Sequence, residues 1–302
     1  QAARLRWLTQ SLKYRIESEI EGITHYSRII TVTSGKGGVG KTNLALNLAL
    51  ALQEYGQRVI VLDADMGLAN IDVITGIIPT SNLYHVVSGE KTLGEVMVEG
   101  PRGLKIIPGG SGIREMANLP SWRFEALIQE LHAIEKTVDI LLIDTGAGIS
   151  NNVLNFLMAS DEVLLVTTPE PTAITDAYGL IKILRSEEPE KKISLVVNQV
   201  ASEEEARLVA NKLKMVTKRF LNAEVEVLGH VVWDSLVGEA VRRQEPFILC
   251  YPRTAASYCV YTLAAKMCDQ SLPQPTGLKR FFSSVVGFFG RRGEAYAQRR
   301  DG

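Results

Sequence analysis

Short aliphatic and β-branched runs recur along this chain, at residues 29–33, 59–63, 104–107, 140–144, 163–167, 194–198 and 227–232. Between them lie longer stretches of helical period, at 42–55, 121–135, 151–159, 173–184, 203–221, 235–242 and 255–268. Strand-then-helix alternation of this kind predicts an α/β fold, with a doubly wound, mostly parallel sheet covered by helices on both faces. Ile140-Leu141-Leu142-Ile143 is apolar without alternation, as expected of a strand buried on both sides. Two segments stand outside the alternation. Leu5, Leu8, Leu12, Ile16 and Ile20 form one stripe of an N-terminal helix. Near the other end, Pro273, Pro275 and Gly277 mark a linker. Beyond it Leu278, Phe281, Phe282, Val285, Val286 and Phe289 recur at i, i+3, i+4, i+7, i+8 and i+11, one face of a helix. The expected organisation is a helix and linker at 1–28, a main domain at 29–270, a linker at 271–277 and a terminal helix with a basic tail at 278–302.

Composition narrows this picture. The 302 residues are 46% hydrophobic and 22% charged, enough for one large domain with a sizeable core. No apolar run reaches the roughly 18 residues of a membrane span. Cys250, Cys259 and Cys268 are too widely spaced for a C-x-x-C site and read as small buried residues in a reducing compartment. The opening residues Gln1-Ala2-Ala3-Arg4 lack the apolar core of a secretory signal and the starting Met, which suggests a trimmed cytoplasmic protein. The net charge of −1 is uneven. Residues 277–302 carry six basic and two acidic side chains and residues 1–28 five and three, so ends of +4 and +2 leave −7 for the middle. An acidic body argues against a nucleic-acid partner, and the basic tail points to an anionic surface.

The strongest chemical signal is Gly35-Lys36-Gly37-Gly38-Val39-Gly40-Lys41-Thr42, which fits G-x-x-x-x-G-K-[ST] between a predicted strand and a predicted helix. Glycines let successive backbone N–H groups approach phosphate oxygens at the helix N-terminus. Lys41 would neutralise the β/γ-phosphates and Thr42 would supply a hydroxyl to Mg²⁺. Two acidic motifs follow strands, Asp63-Ala64-Asp65-Met66-Gly67-Leu68-Ala69-Asn70 and Asp144-Thr145-Gly146-Ala147-Gly148. Open α/β sheets bind ligands at such strand ends, although a carboxylate there can instead cap the next helix. The guanine-reading N-K-x-D is absent, the corresponding stretch being Asn198-Gln199-Val200-Ala201. Pro108-Gly109-Gly110-Ser111-Gly112 has no following lysine and reads as an ordinary loop near a dimer face.

Lys36, a second lysine inside the motif, makes K-G-G-V-G-K-T resemble the deviant Walker A loop of the MinD/ParA class of P-loop ATPases. Gly67-Leu68-Ala69-Asn70-Ile71-Asp72-Val73, Asp144 to Ser150, Pro169 to Tyr178 and Ala240 to Phe247 are similar to the flagellar-number regulators, the FlhG (YlxH, FleN) branch. The resemblance extends over roughly residues 1–290. It implies an ATPase whose cofactors are ATP and Mg²⁺ and which dimerises around ATP, with Lys36 reaching the partner's nucleotide. By the same resemblance Asp65 would orient the attacking water, Asp63 would support the metal site, and Asp144 would stand near Mg²⁺. Asn198 and Asp234 would flank adenine, with Val232-Trp233-Asp234 in place of the class's P-x-D; either residue could simply end a strand.

Gln1, Ala2, Leu5 and Arg6 match most of the D-Q-A-x-x-L-R segment through which this branch stimulates FlhF, a GTPase of the signal-recognition-particle type. The physical counterpart is an amphipathic helix offering Gln1, Leu5 and Arg6 to a partner's nucleotide site, or a helix packed on its own domain. The terminal helix presents Phe281, Phe282, Val285, Val286 and Phe289 on one face with Lys279 and Arg280 beside it, which suits an anionic membrane interface. Docking on the core is its alternative. The resulting expectation is a cytoplasmic ATPase switch, peripheral to the inner face of the cell membrane, that controls flagellar number and placement. Flagellar C-ring proteins or a flagellar transcription factor would be further partners. A ParA-like positioning ATPase on a nucleic-acid track is the competing reading.

Overall fold

The computed structural model describes residues 27–65, 71–110, 130–131, 134–269, 277–278, 281–282 and 284–285. The strands are β1 (Arg28–Thr33), β2 (Val59–Ala64), β3 (Val98–Glu99), β4 (Lys105–Pro108), β5 (Ile140–Thr145), β6 (Glu162–Thr167), β7 (Lys192–Val200) and β8 (Glu226–Val232). They form one sheet in the order β3-β4-β2-β5-β1-β6-β7-β8, parallel throughout except for the antiparallel β3–β4 pair. The doubly wound α/β expectation is thus met.

The longer helices are α1 (Lys41–Glu54), α5 (Asn151–Ala159), α6 (Pro171–Glu187), α7 (Glu203–Leu221), α8 (Ser235–Arg242) and α10 (Ala255–Asp269). Four short ones, α2 (Ile71–Thr75), α3 (Leu83–Val87), α4 (Leu93–Val96) and α9 (Phe247–Cys250), were not expected from periodicity, and neither was β3. Elements of two to five residues are too short to display a period. Of the helix expected at 121–135, only residues 130–131 and 134–135 are described, and these are helical.

Successive strand residues face opposite layers, as the pleat requires. Ile30, Val32, Val59, Val61, Ile140 and Leu142 join one core with α1, α9 and α10. Ile29, Ile60, Leu62, Leu141 and Ile143 face the other side. Helix α1 is buried continuously from Leu44 to Leu52 because it lies between the sheet and α10. At the far side of the second face, α5, α6 and α7 cover β6 and β7 through Leu157, Leu180, Leu184 and Leu213.

The terminal helix departs from the expectation of a lipid-facing surface. Leu278, Phe281, Phe282 and Val285 are all at most 2% exposed and complete the core beside Ile107, Leu131 and Phe156. The Phe281 ring stacks on Phe156 at 5.9 Å and meets Phe282 edge-on at 5.1 Å. The physical reason is that an amphipathic face gains as much from an apolar groove as from acyl chains, and this fold leaves such a groove beside α5. Burial of each such side chain stabilises the docked form by about 1.5–3 kcal/mol. The backbone N–H of Leu278 donates to the buried Glu135 carboxylate at 2.8 Å. Close by, the Ser27 hydroxyl donates to the Val138 carbonyl, also at 2.8 Å. Lys279, Arg280, Val286 and Phe289 lie outside the described residues, as do Gln1, Leu5 and Arg6. Among the described residues no helix is long and apolar enough to cross a membrane.

Candidate nucleotide-binding site

The phosphate loop leaves the C-terminal end of β1, near the middle of the sheet, and runs into α1. Its backbone needs glycine at two points: Gly38 has φ +79° and Gly40, the N-cap of α1, has φ +90°. Gly35 is required for a different reason. A Cβ there would come within 2.4 Å of the Asp176 backbone, so the loop is pressed against the first turns of α6. A Cβ on Gly40 would strike the Asn198 amide at 2.5 Å.

Lys41, on the first turn of α1, is 8% exposed. Burial pulls its pKa down, and the nearby Asp144 and Asp65 carboxylates oppose that shift. Asp144 and Asp63 are neighbours across the β2–β5 ladder. Asp144 is fully buried, and its pKa is pushed up to about 7, first by that burial. The Thr42 hydroxyl and Lys41 hold it down, while Asp63 and Asp65 push it further up. Beyond Thr42, its two oxygens meet no hydrogen-bond donor among the described residues. A buried carboxylate with so few donors, beside a threonine hydroxyl, fits a hard divalent cation that also takes phosphate oxygens.

Asp63 closes the first acidic motif from beneath. Its carboxylate accepts from the Asp65 N–H at 3.1 Å and from the Ile71 N–H at 3.5 Å, so Asp65 and Ile71 are tied to one side chain. Residues 66–70 themselves lie outside the description. The Asp65 carboxylate stands over Gly146, 3.3 Å from where a Cβ would be, which joins the two acidic motifs. Gly148 N–H donates to the Ser34 carbonyl at 2.8 Å and fastens the second motif to the phosphate loop. The structure therefore gathers Lys41, Thr42, Asp63, Asp65 and Asp144 at one crevice.

Lys36 is not part of that gathering. Its ammonium donates to the Glu170 carboxylate and, at 2.9 Å, to the Thr172 hydroxyl, both at the start of α6. Sequence reasoning gave Glu170 and Thr172 no role. Pro171 at the first helical position was the available signal that a helix N-terminus begins there.

On the other side of the loop, Asn198 donates through Nδ2 to the Val39 carbonyl at 2.8 Å. Asp234, expected either at adenine or simply ending a strand, directly follows Trp233 beyond β8 and is the N-cap of α8, accepting from Leu236 N–H at 2.9 Å. The Pro108–Gly110 turn lines a cavity of about 80 Å³ with Asp63 and Asn82, walled mainly by Ile71, Ile77, Pro79, Val98 and Ile106. Apolar walls of that kind do not cradle a phosphate. Among the described residues no three His, Cys, Asp or Glu side chains cluster as metal ligands.

A family described as an AAA domain matches residues 27–197. The chain is 42% identical over 262 residues to the antiactivator FleN of Pseudomonas aeruginosa, covering 86% of this chain and 94% of that protein. It is 38% identical over 272 residues to the flagellum site-determining protein YlxH of Helicobacter pylori, covering 87% and 91%. Among solved structures, a chain of the MinC:MinD cell division protein complex of Aquifex aeolicus aligns with a TM-score of 0.66 at 26% identity, over 83% of this chain and all of that one.

Proposed function

This chain belongs to the AAA-domain P-loop family and, within it, to the branch of FleN and YlxH, and on that premise we propose that it is an ATP-hydrolysing switch that regulates flagellar number and placement. The carrying observation is the crevice in which Lys41, Thr42, Asp65 and Asp144 converge while Lys36 is engaged elsewhere. In this reading the loop from Gly35 to Thr42, with Gly37 and Gly38 in its bend, wraps the phosphates. Lys41 binds the β/γ oxygens, and Thr42 and Asp144 hold Mg²⁺ with Asp63 behind them. Mg²⁺, when bound, neutralises charge that develops on the transferring phosphoryl group. Asp65 orients and polarises the attacking water. Asn198 meets the adenine edge.

Lys36 acts in the ATP dimer. It leaves Glu170 and Thr172, an exposed pair that costs little to break, and reaches the phosphates held by a second copy of the chain. The segment carrying Gln1, Leu5 and Arg6 would stimulate an FlhF-like GTPase, and C-ring proteins or a flagellar transcription factor would receive the signal.

The terminal helix is the membrane element of this proposal, and its docked position makes membrane binding a competition. Leu278, Phe281, Phe282 and Val285 are out of water on the core and would again be out of water in an acyl boundary, so the two large apolar terms nearly cancel. Modest biases then decide the outcome: Lys279 and Arg280 near anionic headgroups, at about 1 kcal/mol each, and two tails on one dimer. Sedimentation with phosphatidylglycerol vesicles should therefore be stronger with Mg-ATP than with ADP. Phe282→Glu should abolish it, and Phe156→Ala, which weakens the groove, should raise binding in ADP. Nucleotide-independent binding by a chain ending at Thr276 would overturn the assignment of the tail as anchor.

A further inference from the structure

One large side chain at the rim of the proposed site has no structural employment. Trp233 follows directly on β8 and is 66% exposed, although an indole left in water forgoes one of the largest apolar burials any residue offers. Its backbone is well fixed. The Trp233 N–H donates to the Val200 carbonyl at 2.7 Å, continuing the β7–β8 ladder in which Val231 pairs with Asn198 and Val232 with Val200. The ladder has an irregularity between Asn198 and Val200. There Gln199 adopts φ +58°, a region that side chains seldom occupy. Bulges of this kind bend a strand end and re-aim the residues beside it. They stand here at the C-terminal end of β7, next to the strand order's open edge and one residue from the amide that touches the phosphate loop.

The edges of the base site are already accounted for. Asn198 spends Nδ2 on the Val39 carbonyl, which leaves Oδ1 as an acceptor suited to an exocyclic amine. Asp234 accepts the Leu236 N–H as a helix cap. No residue described so far supplies a surface for the flat face of a base. We infer that Trp233 is that surface: its indole stacks on the adenine ring while Asn198 reads the ring's edge. Stacking is indifferent to base identity, because every base has a π-face, whereas the Asn198 contact depends on the exocyclic group. Trp233 thus sets how tightly any purine nucleotide is held, and Asn198 sets which one.

This inference rests on the ATP-binding reading, and the experiment separates the two. In the full chain carrying Trp7→Phe and Trp122→Phe, Trp233 is the single indole, and its emission should be quenched saturably by Mg-ATP. By calorimetry, Trp233→Ala should lower the affinity for ATP and for inosine triphosphate by the same factor, about tenfold to a hundredfold. It should leave affinity for inorganic tripolyphosphate unchanged, and Trp233→Phe should restore most of the loss. Exposure of the side chain means that the substitution should leave the melting temperature where it is. Unchanged ATP affinity in Trp233→Ala, or an equal loss for tripolyphosphate, would overturn the stacking role while ATP binding stands. Failure of the unaltered chain to bind either ATP or tripolyphosphate would overturn the ATP reading itself.

Discussion

Lys36 and Lys41 sit five residues apart in one loop and live under opposite physical conditions. Lys41 is buried, its pKa lowered by desolvation, among carboxylates of which one has a pKa of about 7. Lys36 has a side chain 39% exposed and a carboxylate partner 62% exposed. The inner lysine carries a desolvation cost that a phosphate would offset on arrival. The outer one is parked on a contact that solvent already screens. One short loop therefore holds a charge preorganised for its own ligand and another kept free to move. That division is what a protein needs if ligand binding is to precede subunit contact.

The sharpest way to break this comparison is to remove each charge in turn. Lys41→Ala should weaken ATP binding by tens- to thousands-fold, the range for deleting one partner of a desolvated charge pair at about 2–5 kcal/mol. Lys36→Ala should leave ATP binding to the monomer within about threefold and abolish the ATP-dependent dimer seen by light scattering. Equal losses of affinity in calorimetry would end the distinction.

A second, smaller effect concerns the inner carboxylate. The folded pKa of Asp144 lies near 7, above the 3.8 of the unfolded chain. Between those values the folded state holds a proton that the unfolded state has lost, so stability falls as pH rises through that window. The slope from this one group is at most about 1.4 kcal/mol per pH unit. Nucleotide-free Asp144→Asn should lose this part of the pH dependence in thermal denaturation from pH 5 to 7.5. An unchanged slope would mean that Asp144 is not titrating there. The smallest effect belongs to the outer pair. Glu170→Gln should shift the stability of the monomer by less than about 1 kcal/mol in chemical denaturation, and a larger loss would show that Lys36 is structurally committed.

How much of this was legible in the sequence follows from the range of each signal. The central strands announce themselves because residues such as Ile140 to Ile143 are covered on both faces, and the phosphate loop because its glycines are local requirements. Thr92 and Glu95 form a capping box around α4 that was readable but too close to other turns to stand out. Lys36 and Glu170 are 134 residues apart, and no local pattern can pair them. The terminal helix is the most instructive departure. Periodicity identifies Leu278, Phe281, Phe282 and Val285 as one face with certainty, yet it is silent about what covers the face. Lipid and protein core ask for the same residues, and the partners that cover them here, Phe156 among them, come from distant parts of the chain.

The hydrogen bonds at Glu135 and Val138 tie two ends of the described chain to one place. Ser27 is fastened to the Val138 carbonyl and Leu278 to the Glu135 carboxylate, so the start of β1 and the start of the docked terminal helix are held three residues apart on one short stretch of chain. The first strand and the last helix are moored to one post. Undocking the helix would undo the Leu278 mooring and leave the Ser27 one in place, so the strand would keep its seat when the helix departs.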